Sequence, residues 1–357
     1  MNPMRFLHTS DWHLGLHIRH AAQAASRLRE ERWAAVGRVA GIAREQAVDF
    51  VVIAGDVFDS NAPPPAEIRE AAALLEAFPA PVYLIPGNHD PDVPGGPWEH
   101  PSWSESPNVT LLLRTEAIPV NGCTLYPCPL RSRWQGHQPL DWIPPRRPED
   151  GIRLGLAHGG LATSGGSIPV DAALRYDLDY LALGDWHSSS PDLQPGVRQA
   201  YSGTPETDAF GQRESGLVLV VEIEGPLDRP RISRHRSGRL EWRQRTVRFV
   251  HEGDATRLRE ELEADASPDV LLHLEVSGSL FPGDERELAA IATLLQHGYF
   301  HGRLTRGPFW PAGQVAAIPA GFPALAAERL RTRAEAGDES AARALLLLQR
   351  LAGEAVT

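Results

Sequence analysis

Cysteine is scarce in this chain: Cys123 and Cys128 are the only two in 357 residues. Two such thiols make neither a disulfide framework nor a four-ligand zinc site, so both read as small core or loop residues. With no disulfide framework, the cytoplasm is the expected location. No run of 18 or more apolar residues occurs, which excludes a membrane-spanning helix. The opening, Met1-Asn2-Pro3-Met4-Arg5, runs straight into a strand-like segment. It lacks the charged start, apolar middle and small-residue cleavage site of a secretory leader. There is no Gly-x-x-x-x-Gly-Lys loop, so ATP-driven work through such a loop would have to come from another chain. No internal repeat is found. Basic residues are in deficit: 35 Lys and Arg against 46 Asp and Glu leave a net charge of −11. That argues against polyanion binding through bulk charge. It does not exclude a site where acidic side chains hold cations that reverse the local field.

What is present describes an ordinary globular protein, with 42% hydrophobic and 23% charged residues. The length predicts one large domain plus a smaller one. Arg5 to Thr9 is short and apolar. Ala24 to Ala47 reads as a long amphipathic helix, with Leu28, Val36, Val39 and Ala43 spaced for one face. Asp49 to Ala54 is a continuous run typical of a strand buried on both sides. The Pro63-Pro64-Pro65 break introduces a helix over Ala66 to Phe78, and Pro81 to Ile85 is another buried strand. Ile152 to Ala157, Tyr180 to Leu183 and Gly216 to Ile223 repeat the strand pattern. This alternation predicts a layered α/β domain over residues 1–236. Between Pro86 and Gly151 the chain is rich in Pro, Gly and Trp and reads mainly as long loops with one or two short strands. After about Arg236 a β-α-β-α-β unit follows (Leu240 to Val250, Ala255 to Ala264, Val270 to Val276, Asp284 to Gln296, Tyr299 to Leu304), giving a small α/β domain over 237–306. Residues 307–357 form a Pro/Gly-rich linker and a helical tail, Ala324 to Ala352. Its Leu345–Leu348 run would pack on the body or dock a partner.

The chemistry-bearing residues sit where the buried strands end, which is where open α/β sheets place their sites. Asp11-Trp12-His13 follows the first strand and Gly55-Asp56-Val57-Phe58-Asp59 the second. Gly87-Asn88-His89-Asp90 follows the third, and His158-Gly159-Gly160 and Gly184-Asp185-Trp186-His187 follow two later ones. Singly, each is more often a turn or a helix cap than a ligand. Together, five strand ends deliver the oxygen and imidazole donors that hard divalent metals need, and a two-metal site needs a bridging carboxylate among them.

This series resembles the calcineurin-like metallophosphoesterases across residues 11 to 187, about half the chain. Leu7-His8-Thr9-Ser10-Asp11-Trp12-His13-Leu14-Gly15 is similar to the opening of SbcD-type nucleases, which belong to a bacterial DNA-repair exonuclease complex. Gly55–Asp59 and Tyr201-Ser202-Gly203-Thr204-Pro205-Glu206, with Phe210-Gly211, also resemble that group. The resemblance implies a sandwich of two mixed β-sheets flanked by helices, with 237–306 as a capping domain. It implies two divalent ions, and the mixture of imidazole and carboxylate ligands points to manganese ahead of magnesium. Asp11, His13, Asp56 and His187 would hold one ion, and Asp56 would bridge to the second, held by Asn88 and His158. His89 would protonate the leaving oxygen or stabilise its charge, with Asp90 orienting it. DNA is the implied substrate and an SbcC-like ATPase the implied partner chain; a homodimer is a further expectation, and no membrane is involved.

One position departs from the pattern. The last motif of the family usually reads Gly-His-x-His, and here Asp185 replaces the first His. A carboxylate still ligates a hard metal. Asp185 therefore reads as a ligand, direct or through one water, or as a carboxylate bonded to a ligand histidine. Two rival functions stay open on sequence alone: a phosphodiesterase or phosphatase acting on a nucleotide, lipid headgroup or phosphoprotein, and a DNA-binding or scaffolding subunit that has lost catalysis.

Overall fold

The computed structural model describes residues 3–16, 23–133, 138–190, 192–194, 196–311, 321–338, 340–342, 344–345 and 347–348. The chain divides into two compact units, Met1–Glu241 and Trp242–Thr357. In the first, chain order is β1 (Met4–Thr9), α1 (Ala25–Glu45), β2 (Phe50–Ala54), α2 (Pro65–Glu76), β3 (Val82–Ile85), β4 (Val109–Leu111), β5 (Ile118–Val120), β6 (Cys123–Cys128), β7 (Ile152–His158), α3 (Ala172–Arg175), β8 (Tyr180–Gly184), β9 (Gln199–Tyr201), β10 (Leu217–Ile223) and β11 (Arg231–Arg236).

These strands form two mixed sheets. One has the order β11-β10-β1-β2-β3-β4, the other β5-β6-β7-β8-β9. β1 to β4 run parallel, and β10 and β11 are added antiparallel. In the second sheet β6 to β9 run parallel and β5 is antiparallel. Alternation along the strands explains why the two sheets stack. Phe50, Val52 and Ala54 of β2 pack in one core with Leu154 and Leu156 of β7 and Tyr180 and Ala182 of β8. The intervening Val51 and Ile53 turn to the opposite face and meet Val36 and Val39 of α1 and Ile68 and Leu75 of α2. Leu181 and Leu183 face outward to Ala172 and Ala173 of α3. A strand with apolar residues on both faces is the continuous run seen in the sequence. Each such fully buried side chain contributes roughly 1.5–3 kcal/mol.

In the second unit, β12 (Glu241–Phe249), α4 (Asp254–Ala264), β13 (Val270–Leu280), α5 (Asp284–His297), β14 (His301–Pro311) and α6 (Phe322–Glu335) follow in order. The sheet order is β12-β13-β14. Leu258 and Leu262 of α4 and Leu288, Ile291 and Leu295 of α5 pack on Leu272, Leu274 and Val276. Helical residues recur between 340 and 348, where Leu345 is buried and Leu347 exposed. The rest of the predicted tail helix lies outside the described residues.

The structure amends the sequence reading in three places. The 86–151 stretch carries three short strands, β4, β5 and β6, and two 3-10 turns, Pro97–Glu99 and Pro101–Glu105. Strand β14 continues to Pro311, through residues that their Pro and Gly content marks as linker. β9 and β11 fall outside the expected strands: β9 has three residues, and β11 is an arginine-rich edge strand whose exposed residues hide the β pattern.

Candidate metal centre

The parallel strands β1, β2 and β3 of one sheet and β7 and β8 of the other end at one place. The Asp11 N–H donates to the Gly55 carbonyl at 3.1 Å and the His13 N–H to the Asp56 carbonyl at 3.0 Å. The Asp185 N–H donates to the Asp11 carboxylate at 3.0 Å, and the His158 ring Nδ1 lies 2.7 Å from the Ala54 carbonyl. Backbone of unusual conformation aims the side chains. Asp11, His13, Asp56 and Asp185 have φ of 54°, 43°, 55° and 104°. Such left-handed residues cost of order 1–3 kcal/mol each and concentrate at functional sites. Gly87 has a different reason. A Cβ there would fall on the Asp56 carboxylate and backbone nitrogen, so only glycine lets the third strand end approach the second.

Asp56 is the centre of the arrangement. Its Oδ1 accepts the His89 N–H at 2.9 Å. Its Oδ2 lies 3.6 Å from His13 Nε2 and 3.4 Å from His158 Nε2. One carboxylate oxygen thus lies within 3.6 Å of two imidazole nitrogens. Around His13 stand Asp11, whose Oδ1 is 3.9 Å from Nε2, and His187, whose ring is 4.7 Å from that of His13. Around His158 Nε2 stand Asn88 Oδ1 at 3.0 Å and Asp185 Oδ1 at 3.8 Å. Among the described residues, Asp11, His13 and His187 offer atoms within 4.8 Å of one another, as do Asp11, Asp56 and His158, and His13, Asp59 and His89.

The His13 Nε2 is buried with no hydrogen-bond partner. Leaving a buried polar nitrogen unsatisfied is costly, and a cation held by His13 Nε2, Asp11 and Asp56 would remove that cost. The donor set, imidazole, carboxylate and one amide oxygen, fits hard divalent ions. The electrostatics agree. Burial works to lower the His158 pKa, but the Asp56 carboxylate, with Asp11 and Asp185, holds it up to about 10. Asp56 itself is pressed toward neutrality by burial, yet His158, His13 and the His89 N–H hold it well below the usual carboxylate range. Burial raises Asp185, with Asp11 and Asp56 adding to the rise. The pocket as a whole attracts positive charge.

His89 stands at the edge of the cluster, half-buried. Its Nδ1 lies 2.9 Å from the Asp59 carbonyl and 3.5 Å from the Asp59 carboxylate. That carboxylate raises His89 to about 9, against the effect of burial. Asp59 Oδ1 is also 3.3 Å from His13 Nδ1. Asp90, expected to orient His89, is placed otherwise. It is fully buried and its carboxylate accepts the Gly87 N–H at 2.7 Å and the Phe58 N–H at 2.9 Å. It pins the Gly87–His89 turn to the Asp56 loop, and burial pushes it up to about 7. The carboxylate against the His89 ring is Asp59. Asp59 lies within the second strand-end motif, but the motif alone gives it no role, since only the fold brings it to residue 89.

Comparison with known proteins agrees with this geometry. Residues 4–189 match the family described as Calcineurin-like phosphoesterase. The chain is 28% identical over 263 residues to the D subunit of nuclease SbcCD from Bacillus subtilis, covering 62% of this chain and 66% of that protein. It is 29% identical over 223 residues to the D subunit of the same nuclease from Escherichia coli K12, covering 58% and 52%. It is 41% identical over 91 residues to the DNA double-strand break repair protein Mre11 of Archaeoglobus fulgidus, covering 24% of this chain and 19% of that one. The chain thus spans about half to two thirds of the length of these two SbcCD subunits.

Proposed function

Because this chain belongs to the calcineurin-like phosphoesterase family, we propose that it is a two-metal phosphodiesterase whose substrate is DNA, working in DNA repair with manganese as the preferred ion. The observation that carries the two-metal part is that one oxygen of Asp56 lies close to both His13 and His158, so that Asp56 would be the carboxylate shared by two ions. Asp11, His13 and His187 complete one set with Asp56. Asn88, His158 and Asp185 complete the other. Asp185 is assigned to that set because its Oδ1 lies 3.8 Å from His158 Nε2, the nitrogen that Asn88 and Asp56 also approach. Two divalent ions, when bound, supply Lewis acidity to the phosphate and lower the pKa of a water.

The remaining steps belong to the chain's own side chains. His89, with Nδ1 committed to Asp59, presents Nε2 to the leaving oxygen and gives it a proton. Asp59 keeps that ring charged and oriented. Asp90 holds the turn that carries His89. The nuclease reading is supported by the two SbcCD subunits and by Mre11, with an SbcC-like ATPase as the partner chain. The 237–306 stretch then serves as the capping domain of the assembly.

The test is digestion of end-labelled single- and double-stranded DNA by the isolated protein with manganese, beside a chelated control. Shortening of either substrate that is lost on chelation and exceeds the rate with magnesium is expected. Full activity after exhaustive chelation contradicts the two-metal reading. Hydrolysis of nucleotides or phosphopeptides with no attack on DNA moves the substrate to another class.

A further inference from the structure

His187 is held from behind by residues outside every motif at the strand ends. Its Nδ1 lies 2.9 Å from Asp208 Oδ2, and the Gln212 side-chain amide is 3.4 Å from the same nitrogen. Gln212 also donates to Asp208 Oδ1 at 2.5 Å. Asp208 is 6% exposed, and beside it lies Arg32 of α1, 3% exposed, with a 3.5 Å contact to Asp208 Oδ2. Arg32 in turn donates to the carbonyl of Trp12 at 2.9 Å, the residue between Asp11 and His13. The segment that carries Asp208 grips His187 by its backbone too, since the Thr204 N–H donates to the His187 carbonyl at 3.0 Å.

We infer that Asp208 is the positioning residue for His187, and that Arg32 joins it to the Asp11–His13 loop so that both halves of one ligand set are fixed by one buried cation. This rests on the two-metal reading above. With Nδ1 turned to Asp208, Nε2 is the ring nitrogen left for an ion. A carboxylate on the far nitrogen of a ligand imidazole fixes its tautomer and orientation and makes the ligand more basic, and its loss weakens metal affinity about 10–100-fold. A carboxylate serving only to neutralise buried Arg32 has no need to lie against His187, nor to share its second oxygen with an amide that also reaches the ring.

The experiment is manganese titration by calorimetry of the full chain, wild type, Asp208→Asn and Asp208→Ala, with thermal melts in chelator and in manganese. Wild type is expected to bind two ions. Asp208→Ala keeps one at wild-type affinity and binds the other about 10–100-fold more weakly. Asp208→Asn, which retains an acceptor oxygen without the charge, falls between. The rise in Tm from chelator to manganese shrinks in the same order, because ligand stabilisation follows [L]/Kd. Taking that rise, rather than the melt itself, removes any purely structural cost of the substitution. If Asp208→Ala does not fold, Asp208→Asn carries the test. Two ions bound as tightly by Asp208→Asn as by wild type, with an equal rise in Tm, overturn the inference and leave the two-metal reading standing. A wild-type chain that binds no ion overturns both.

Discussion

At the scale of single residues, the proposed mechanism separates groups that hold cations from groups that move a proton. His89 contacts Asp59 through Nδ1 and is absent from the oxygen-rich surroundings of His158 Nε2. His89→Ala is therefore expected to lose turnover by ~10²–10⁴-fold, the usual contribution of a general acid, while keeping its full manganese content. Loss of manganese in that variant would make His89 a ligand instead. Asp59 adds a pH prediction. Its carboxylate is the largest cause of the rise of His89 to about 9. A histidine acid works while protonated, below its pKa. Removing the charge by Asp59→Asn lowers that pKa, so the alkaline limb of the pH–rate profile is expected to move to lower pH. A limb that stays in place means that His89 is not the group titrating there. Residue roles are unevenly legible in the sequence. Asp11, His13, Asp56, Asn88, His158 and Asp185 lie at strand ends within recognisable motifs, and the fold brings them together. Asp59, Asp208 and Arg32 act over separations that no local pattern encodes: Arg32 and Asp208 are 176 positions apart in the sequence.

At the scale of elements, the site depends on how closely strand ends approach. Gly87 follows β3 and leaves no room for a Cβ against Asp56. Gly87→Ala is expected to displace the Asp56 loop and lose the shared oxygen between His13 and His158, and with it at least one ion. Metal content after gel filtration measures this, and two retained ions would mean that the turn yields without consequence. The strands that carry the candidate ligands are the easiest elements to read, because burial on both faces leaves an uninterrupted apolar run, as in Phe50–Ala54. Helix α1 is legible from its spacing, with Leu28, Val36, Val39 and Ala43 all buried. The same helix buries Arg32, whose partners no helical periodicity reveals. β11 escapes a hydrophobic reading because its arginines and histidine give a polar string, exposed at four of six positions. Charge on an edge strand guards it against pairing with other chains, and that purpose conceals the strand.

At the scale of the whole molecule, a net charge of −11 must be reconciled with the polyanionic substrate proposed above. Several arginines of the 229–248 stretch are already engaged by acidic side chains. Arg231 pairs with Glu222 and Glu224, Arg239 with Glu31, and Arg243 with Asp265. At the proposed metal centre, bound ions would reverse the field of its carboxylates and attract phosphate. Among the described residues, no helix is long and apolar enough to cross a membrane. Everything proposed for the molecule thus converges on two cations at the strand ends. A crystal of the protein soaked in manganese, with an anomalous difference map, reads that directly. Two peaks about 3.5–4 Å apart are predicted on either side of Asp56 Oδ2, one against Asp11, His13 and His187 and the other against Asn88, His158 and Asp185. No peak there, or a single peak away from Asp56, would contradict it.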